Sequence, residues 1–384
     1  MQAGFRMDFV LSDLGFVCAL GTNIPDIIHN AQTGNQDGMQ PKDICIGGDI
    51  VPFGAANIET HHKMRFYDLM LAAIEQIKPA VENLKTKYSP ARIGIVLGAS
   101  NTAVHEAQKY ISEKLSTGTM PNNFSVSLLE LGTPAELLRE IVGTTGPAFT
   151  ISTACSSSIK AIDTARDLIK NDICDAVICG GVDARCDFAL NGFNALEALS
   201  HKITNPMSKN RDGINLGECA ALFIMESGHD GVRVMGCGET SDAYHPTAPD
   251  PSGSGAIESM RNAMTDANIT APQVDYINMH GTGTIANDAM ESLAIHNLFG
   301  DKILCASTKA LTGHCLGAAG ACSVALSWLM LNHNFIIPHI YDGQFASDCA
   351  PIRLATKNDK QEIRTILCNA FAFGGSNSTI IIGK

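Results

Sequence analysis

A short strand, a tight loop of small residues and then a helix recur along this 384-residue chain, and that repeat narrows its fold more than any other feature. One copy begins at Ala148–Ser152 (A-F-T-I-S), turns through Thr153 and Ala154, and predicts a helix from about Cys155 to Ile169. Within it Ile159, Ile162, Ala165 and Ile169 share one helix face. A strand over Ala176–Cys179, stopping at Gly180-Gly181, completes a βαβ unit. Farther on, Val274–Met279 reads as a strand ending at His280 and Gly281. Ile303–Ser307 is a strand, Thr308–Gly313 a loop and His314–Leu331 a helix. Ile363–Cys368 and Thr379–Ile382, joined through the glycine turn at 374–375, form a hairpin. Strands alternating with helices imply an α/β fold. The repeat of pattern implies two halves, 1–230 and 231–384, with a site at their junction.

Composition limits what such a chain does. Hydrophobic residues make up 45% and charged ones 17%, which fits a chain that buries a sizeable core. The net charge, 27 − 39 = −12, argues against nucleic acid, whose binding proteins are basic. The most apolar stretch, Leu316–Leu331, is diluted by Gly, Ser and Ala and is shorter than the roughly 20 residues of a membrane span. It reads as a buried helix. Residues 1–20 lack an uninterrupted apolar run, so no secretory leader is expected. The 13 cysteines are scattered with no Cys-x-x-Cys, which speaks against a disulfide framework or a zinc site and fits a reducing cytoplasm.

Three residues stand at strand–helix junctions, where open α/β sheets place their ligand crevices. Cys155, in S-T-A-C-S-S-S, falls at a helix start, where the macrodipole and free N–H groups lower a thiol pKa. Its own amide can face a developing oxyanion. The alternative is a buried structural cysteine. His280 opens H-G-T-G-T and His314 closes K-A-L-T-G-H. Metal is the rival explanation for one Cys and two His, but no two of them share a helix turn or knuckle. A Cys–His nucleophile pair accounts for the same residues. Asp288 and Glu291 lie three apart on the next helix, either on a solvated face or with Glu291 neutralising Lys309. In Phe371-Ala372-Phe373-Gly374-Gly375 two aromatics adjoin paired glycines, a turn that can bring backbone N–H groups to a ligand.

In these residues the sequence resembles the decarboxylating β-ketoacyl-acyl-carrier-protein synthases of the thiolase fold. Five motifs of that family occur in order: T-A-C-S-S-S at 153–158, R-D-G-x-x-x-G-E at 211–218, H-G-T-G-T at 280–284, K-A-L-T-G-H at 309–314 and F-A-F-G-G-S-N at 371–377. The resemblance implies two duplicated α-β-α halves in a five-layered α-β-α-β-α arrangement. It makes Cys155 the acyl-accepting nucleophile, and His280 and His314 the pair that binds the malonyl thioester and promotes decarboxylation. Lys309 is implied to support the second histidine, with Glu291 as its ion partner. Thr282 and Thr284 are implied to bind the phosphopantetheine arm, the amides of Cys155 and Phe373 to form the oxyanion hole, and Phe371 and Phe373 to gate it.

The implied reaction joins an acyl-cysteine to a malonyl thioester on acyl carrier protein, with no metal or redox cofactor. The implied partners are acyl carrier protein and a second subunit, in a homodimer or in a heterodimer with a chain-length-factor-like homologue. Alternative readings are a secondary-metabolite ketosynthase (aryl polyene or polyketide) and, less consistent with a Cys-His-His set, a degradative thiolase-like enzyme. The sequence departs from the family at Asn205-Pro206-Met207-Ser208, where a basic residue, Pro, an aromatic and Asp are usual, and at Cys219, where Gly is usual. It is also compact for the family, so an entrance loop or cap is expected to be reduced. Because the carrier protein is acidic, a chain of charge −12 needs a local basic patch. His61-His62-Lys63-Met64-Arg65 offers one, with Lys63 and Arg65 as its dock; the plain alternative is a solvated helix.

Overall fold

A computed structural model describes residues 8–43 and 48–384. Residues 1–7, part of the stretch read as carrying no leader, and Cys45 lie outside the described residues.

The first half runs β1 (Phe9–Val17), α1 (Ile24–Thr33), the ribbon β2 (Met39–Asp43) and β3 (Ile50–Gly54), α2 (Arg65–Gln76) and α3 (Lys78–Lys87). It continues with β4 (Ile93–Gly98), α4 (Val104–Thr117), α5 (Thr133–Val142), β5 (Ala148–Ile151), α6 (Ser157–Lys170), β6 (Ala176–Asp183), α7 (Asp187–Ala195) and β7 (Cys219–Ser227). The second half runs β8 (Val232–Ser241), α8 (Ser254–Ala267), β9 (Tyr276–Asn278), α9 (Ile285–Phe299), β10 (Leu304–Ala306) and α10 (Lys309–Thr312). It ends with α11 (Ala319–His333), β11 (Arg353–Leu354), β12 (Thr365–Ala372) and β13 (Ser376–Gly383).

Eleven strands form one sheet in the order β11-β10-β9-β12-β13-β8-β1-β7-β6-β4-β5. Numbering the five main strands within each half gives the same order twice, 3-2-4-5-1. Directions repeat as well. The second strand is parallel to the third and the fourth, and the fifth is antiparallel to both its neighbours. The halves join where β1 meets β8 through Val10 and Leu11.

Strand residues point alternately to opposite faces, and the core divides accordingly. Val96 of β4 turns inward to a layer holding Ile159 and Ile162 of α6 and Val324 and Leu326 of α11, together with Phe223 and Ile380 from the two halves. Its neighbours Ile95 and Leu97 face outward to Leu69 of α2, Leu84 of α3 and Leu138 of α5. On the far side Ile277, Leu367 and Ile381 pack against Met260 of α8 and Ile295 of α9. The result is α-β-α-β-α, with α6 and α11 in the middle. The apolar stretch from Leu316 is thus a buried helix, and among the described residues no helix is long and apolar enough to cross a membrane.

Two expected boundaries move. β6 does not stop at Gly180-Gly181 but runs through both to Asp183. A Cβ at Gly181 would lie 2.8 Å from the Ser158 Cβ, and one at Gly180 would lie 2.0 Å from the Ala221 carbonyl oxygen. These glycines allow close packing within the strand. The helix expected from His314 instead begins at Ala319, leaving His314 in an extended link after the single turn α10.

Candidate active site

The nucleophile candidate sits on a strained turn. Ala154 has φ +52°, a left-handed conformation that costs a residue with a Cβ and is held by its surroundings. Those surroundings are the serines that follow. Ser156 Oγ donates to the Thr153 carbonyl at 2.8 Å, and Ser157 Oγ to the Ala154 carbonyl at 2.5 Å while accepting from the Thr153 amide at 2.8 Å. Cys155 therefore projects just ahead of α6, almost fully buried.

The expectation of a lowered thiol pKa fails in this setting. Burial pushes Cys155 up to about 11. Pulling the other way are the Lys309 charge and the backbone N–H groups of Phe373 and of Cys155 itself, which lie against the sulfur. Desolvation outweighs them. Those same two amides are the pair expected to form the oxyanion hole.

His280 follows β9, which lies between β10 and β12, and its backbone is gripped at both ends. Glu291 Oε1 accepts the His280 N–H at 2.7 Å and Oε2 accepts the Gly281 N–H at 2.6 Å. On the other side, Lys309 Nζ donates to the His280 carbonyl. Asp288 and Glu291 are fully buried, which excludes the solvated face. Burial lifts Glu291 to about 7 against four stabilising neighbours, among them Asn369, which donates to it at 3.2 Å. Glu291 and Lys309 make no direct ion pair among the described residues; they act on either side of His280, and each charge still favours the other against burial. Lys309 bonds the backbone of the first histidine, while its charge acts on both histidine rings.

His314 is fixed by its neighbour. The Leu316 amide donates to His314 Nδ1 at 2.9 Å, so the ring proton resides on Nε2. Burial and the Lys309 charge lower His314 to about 3 and move His280 well below its ordinary value. Both rings are neutral at physiological pH. They stand edge to face, centroids 5.3 Å apart, with Phe371 edge-on to His280 at 6.2 Å.

One ligating atom each from Cys155, His280 and His314 lies within 4.8 Å of the others, a proximity that chain spacing did not show. This geometry would suit a metal, but His314 does not. A neutral imidazole that accepts a hydrogen bond at Nδ1 has no lone pair to give at Nε2.

All three side chains line a cavity of about 320 Å³ together with Thr282, Thr284 and Phe373. The two threonine hydroxyls are 2.9 Å apart. At the mouth Phe373, 37% exposed, stacks at 5.5 Å on Phe193, an aromatic from α7 that sequence reasoning did not single out. Asp183 was also missed. Buried at the end of β6, it accepts from the Ser100 and Asn101 amides at 3.0 and 2.9 Å and ties the loop after β4 to the Cys155 side of the site.

The proposed dock divides. Lys63 is exposed, on the rim of a separate open cleft of about 1190 Å³. Arg65 is not a surface charge. Its guanidinium pairs with Glu218 at 2.7 Å and donates to the Ala56 and Ile58 carbonyls, each at 2.8 Å. Much of the 211–218 motif is likewise architectural, with Arg211 paired to Asp348 at 2.5 Å and Glu218 to Arg65.

Residues 55–230 match the family model "Beta-ketoacyl synthase, N-terminal domain", and residues 232–341 match "Beta-ketoacyl synthase, C-terminal domain". A 3-oxoacyl-[acyl-carrier-protein] synthase 2 from Coxiella burnetii is 30% identical over 98% of both chains. Among solved structures, the ketosynthase (ApeO) in complex with its chain length factor (ApeC) from Xenorhabdus doucetiae is similar at TM-score 0.93 and 34% identity, covering 100% of this chain and 99% of that one. The ishigamide ketosynthase/chain length factor follows at TM-score 0.90 and 26% identity, covering 99% of each. With the thiolase-like layering and the buried Cys-His-His set already in place, these matches show that the chain belongs to the β-ketoacyl synthase family.

Proposed function

We propose that this protein is the catalytic ketosynthase of a carrier-protein-dependent system, extending an acyl chain by decarboxylative condensation. The observation that carries this reading is the convergence of Cys155, His280 and His314 within 4.8 Å in one cavity. In the first step Cys155 sulfur attacks an acyl thioester carbonyl. The bond to the carrier's sulfur breaks, and the thiol proton leaves with the carrier. The Phe373 and Cys155 amides stabilise the intermediate oxyanion. In the second step a malonyl thioester loses carbon dioxide, and its electrons form an enolate. His314 Nε2–H, oriented by the Leu316 amide, donates to the enolate oxygen with His280 beside it. The enolate carbon attacks the acyl-cysteine carbonyl, a carbon–carbon bond replaces the carbon–sulfur bond, and the Cys155 thiolate that leaves takes a proton from water.

Thr282 and Thr284 hold the pantetheine arm, and Phe371 and Phe373 gate the cavity. Substrates arrive on acyl carrier protein, the residues require no further cofactor, and the protein works in the cytoplasm. Likeness to ketosynthase/chain-length-factor assemblies supports a heterodimer in a polyketide or aryl-polyene type of pathway over a homodimer of primary fatty-acid synthesis. Residues 1–230 and 231–384 serve as the two duplicated units.

Intact-mass spectrometry tests the reading. Wild type incubated with acyl carrier proteins gains an acyl adduct that Cys155→Ala lacks, and malonyl carrier protein discharges it as a longer β-ketoacyl product. Failure to acylate, with a chain-length-factor partner supplied, would sink it.

A further inference from the structure

Behind the catalytic residues lies a second convergence of ligating atoms. The Cys219, Cys315 and Cys322 sulfurs lie within 4.8 Å of one another, and each residue is 3% exposed or less. Cys18 completes the group, its thiol in hydrogen-bonding contact with Cys322. The four arrive from four parts of the fold: just past β1, at the start of β7, directly after His314, and in α11.

We propose that Cys18, Cys219, Cys315 and Cys322 form a buried site for a thiophilic d10 metal ion, represented by Zn²⁺. Tetrahedral zinc with bonds of about 2.3 Å needs sulfurs about 3.8 Å apart, a spacing that the Cys219, Cys315 and Cys322 sulfurs reach with shifts of about an ångström or less, while Cys18, beside Cys322, offers the fourth ligand. The thiols find their closest partners in one another. The nearest carbonyl acceptors of Cys219 (Ala318) and Cys315 (Thr312 and Gly313) are all 3.8 Å away, at the weak end of sulfur hydrogen bonding. Ligation releases one proton from each coordinating thiol to water and needs no oxidant. The resulting negative charge faces a cation already in place, since the Lys309 ammonium is electrostatically coupled to both Cys315 and Cys322. No other grouping among the described residues meets the same proximity except the catalytic one, where the His314 tautomer opposes metal. Because the site is enclosed, the ion enters while the chain folds, and it then staples β1, β7 and α11 to the link that carries His314.

Native mass spectrometry of the full chain, produced in zinc-supplemented medium, decides the matter. One zinc per chain is expected in wild type, in Cys155→Ala and in Cys179→Ala, whose thiol is buried elsewhere, but not in Cys322→Ala. Production in cobalt gives a second readout, the thiolate-to-cobalt absorption bands, lost in Cys322→Ala. If Cys322→Ala does not fold, Cys219→Ala carries the same expectation. A metal-free wild type, zinc that survives both cluster variants, or zinc lost with Cys155→Ala would each overturn the site.

Discussion

The amide of Leu316 donates to Nδ1 of His314 across 2.9 Å, which decides what that histidine is able to do. Its outward nitrogen is a permanent donor, suited to an enolate and unsuited to taking a proton. His314→Ala should therefore still acylate Cys155 but lose condensation by about 10²–10³-fold, the usual effect of deleting one oxyanion-type donor. Acyl-enzyme accumulation by intact mass, beside product formation, checks the split.

His339 is a third neutral buried histidine, accepting from the Ser307 amide at 3.0 Å and bonded to the Pro206 carbonyl at 2.9 Å, with burial lowering it to about 4. Its unfolded value is near 6.5, so between 4 and 6.5 the unfolded chain binds more protons. The stability it contributes is complete above 6.5 and lost as pH falls through 4. Over that window the gap between wild type and His339→Gln should shrink by about 3 kcal/mol, measured by denaturant unfolding at several pH values.

Arg65 and Glu218 form a largely buried pair, 16% and 4% exposed. Removing one partner leaves the other charge unpaired, so Arg65→Ala should destabilise the fold by about 3–5 kcal/mol. Lys63→Glu, by contrast, should leave the melting temperature in place and raise KM for carrier-bound substrate. An unchanged KM would remove Lys63 from the dock.

Gly98, the last residue of β4, lies against the start of α6. An added Cβ would meet the Ser158 Cα and backbone nitrogen, both at 2.4 Å. Backbone atoms cannot swing aside, so Gly98→Ala should cost about 1–3 kcal/mol. It should also slow acylation by displacing the helix that Cys155 precedes.

What was legible in the sequence depended on how local the cause was. The strand–helix repeat, the terminal hairpin and the three residues that converge in the cavity were readable because each lies within a short motif. Arg65 was misread because its partner stands 153 residues away, leaving H-H-K-M-R to look like a surface run. Gly180-Gly181 was taken for a strand stop because its requirement comes from other strands and layers. The Cys155 pKa was misjudged in the same way: a helix start is local, whereas burial is set by the whole fold. His314 was placed on a helix because the extended link before α11 answers to Asn215 and Gly217, which bond its backbone at 2.7 and 3.0 Å.

The duplicated strand order also has a consequence in time. The thiol is synthesised with the first half, but the histidines, the lysine and the Phe373 amide all belong to the second. A ribosome releases Cys155 long before its partners in the second half, and until the halves meet the cysteine has only its own amide beside it, without the Phe373 donor or the Lys309 cation. Chemistry here begins only once the last hairpin, β12 and β13, has been added.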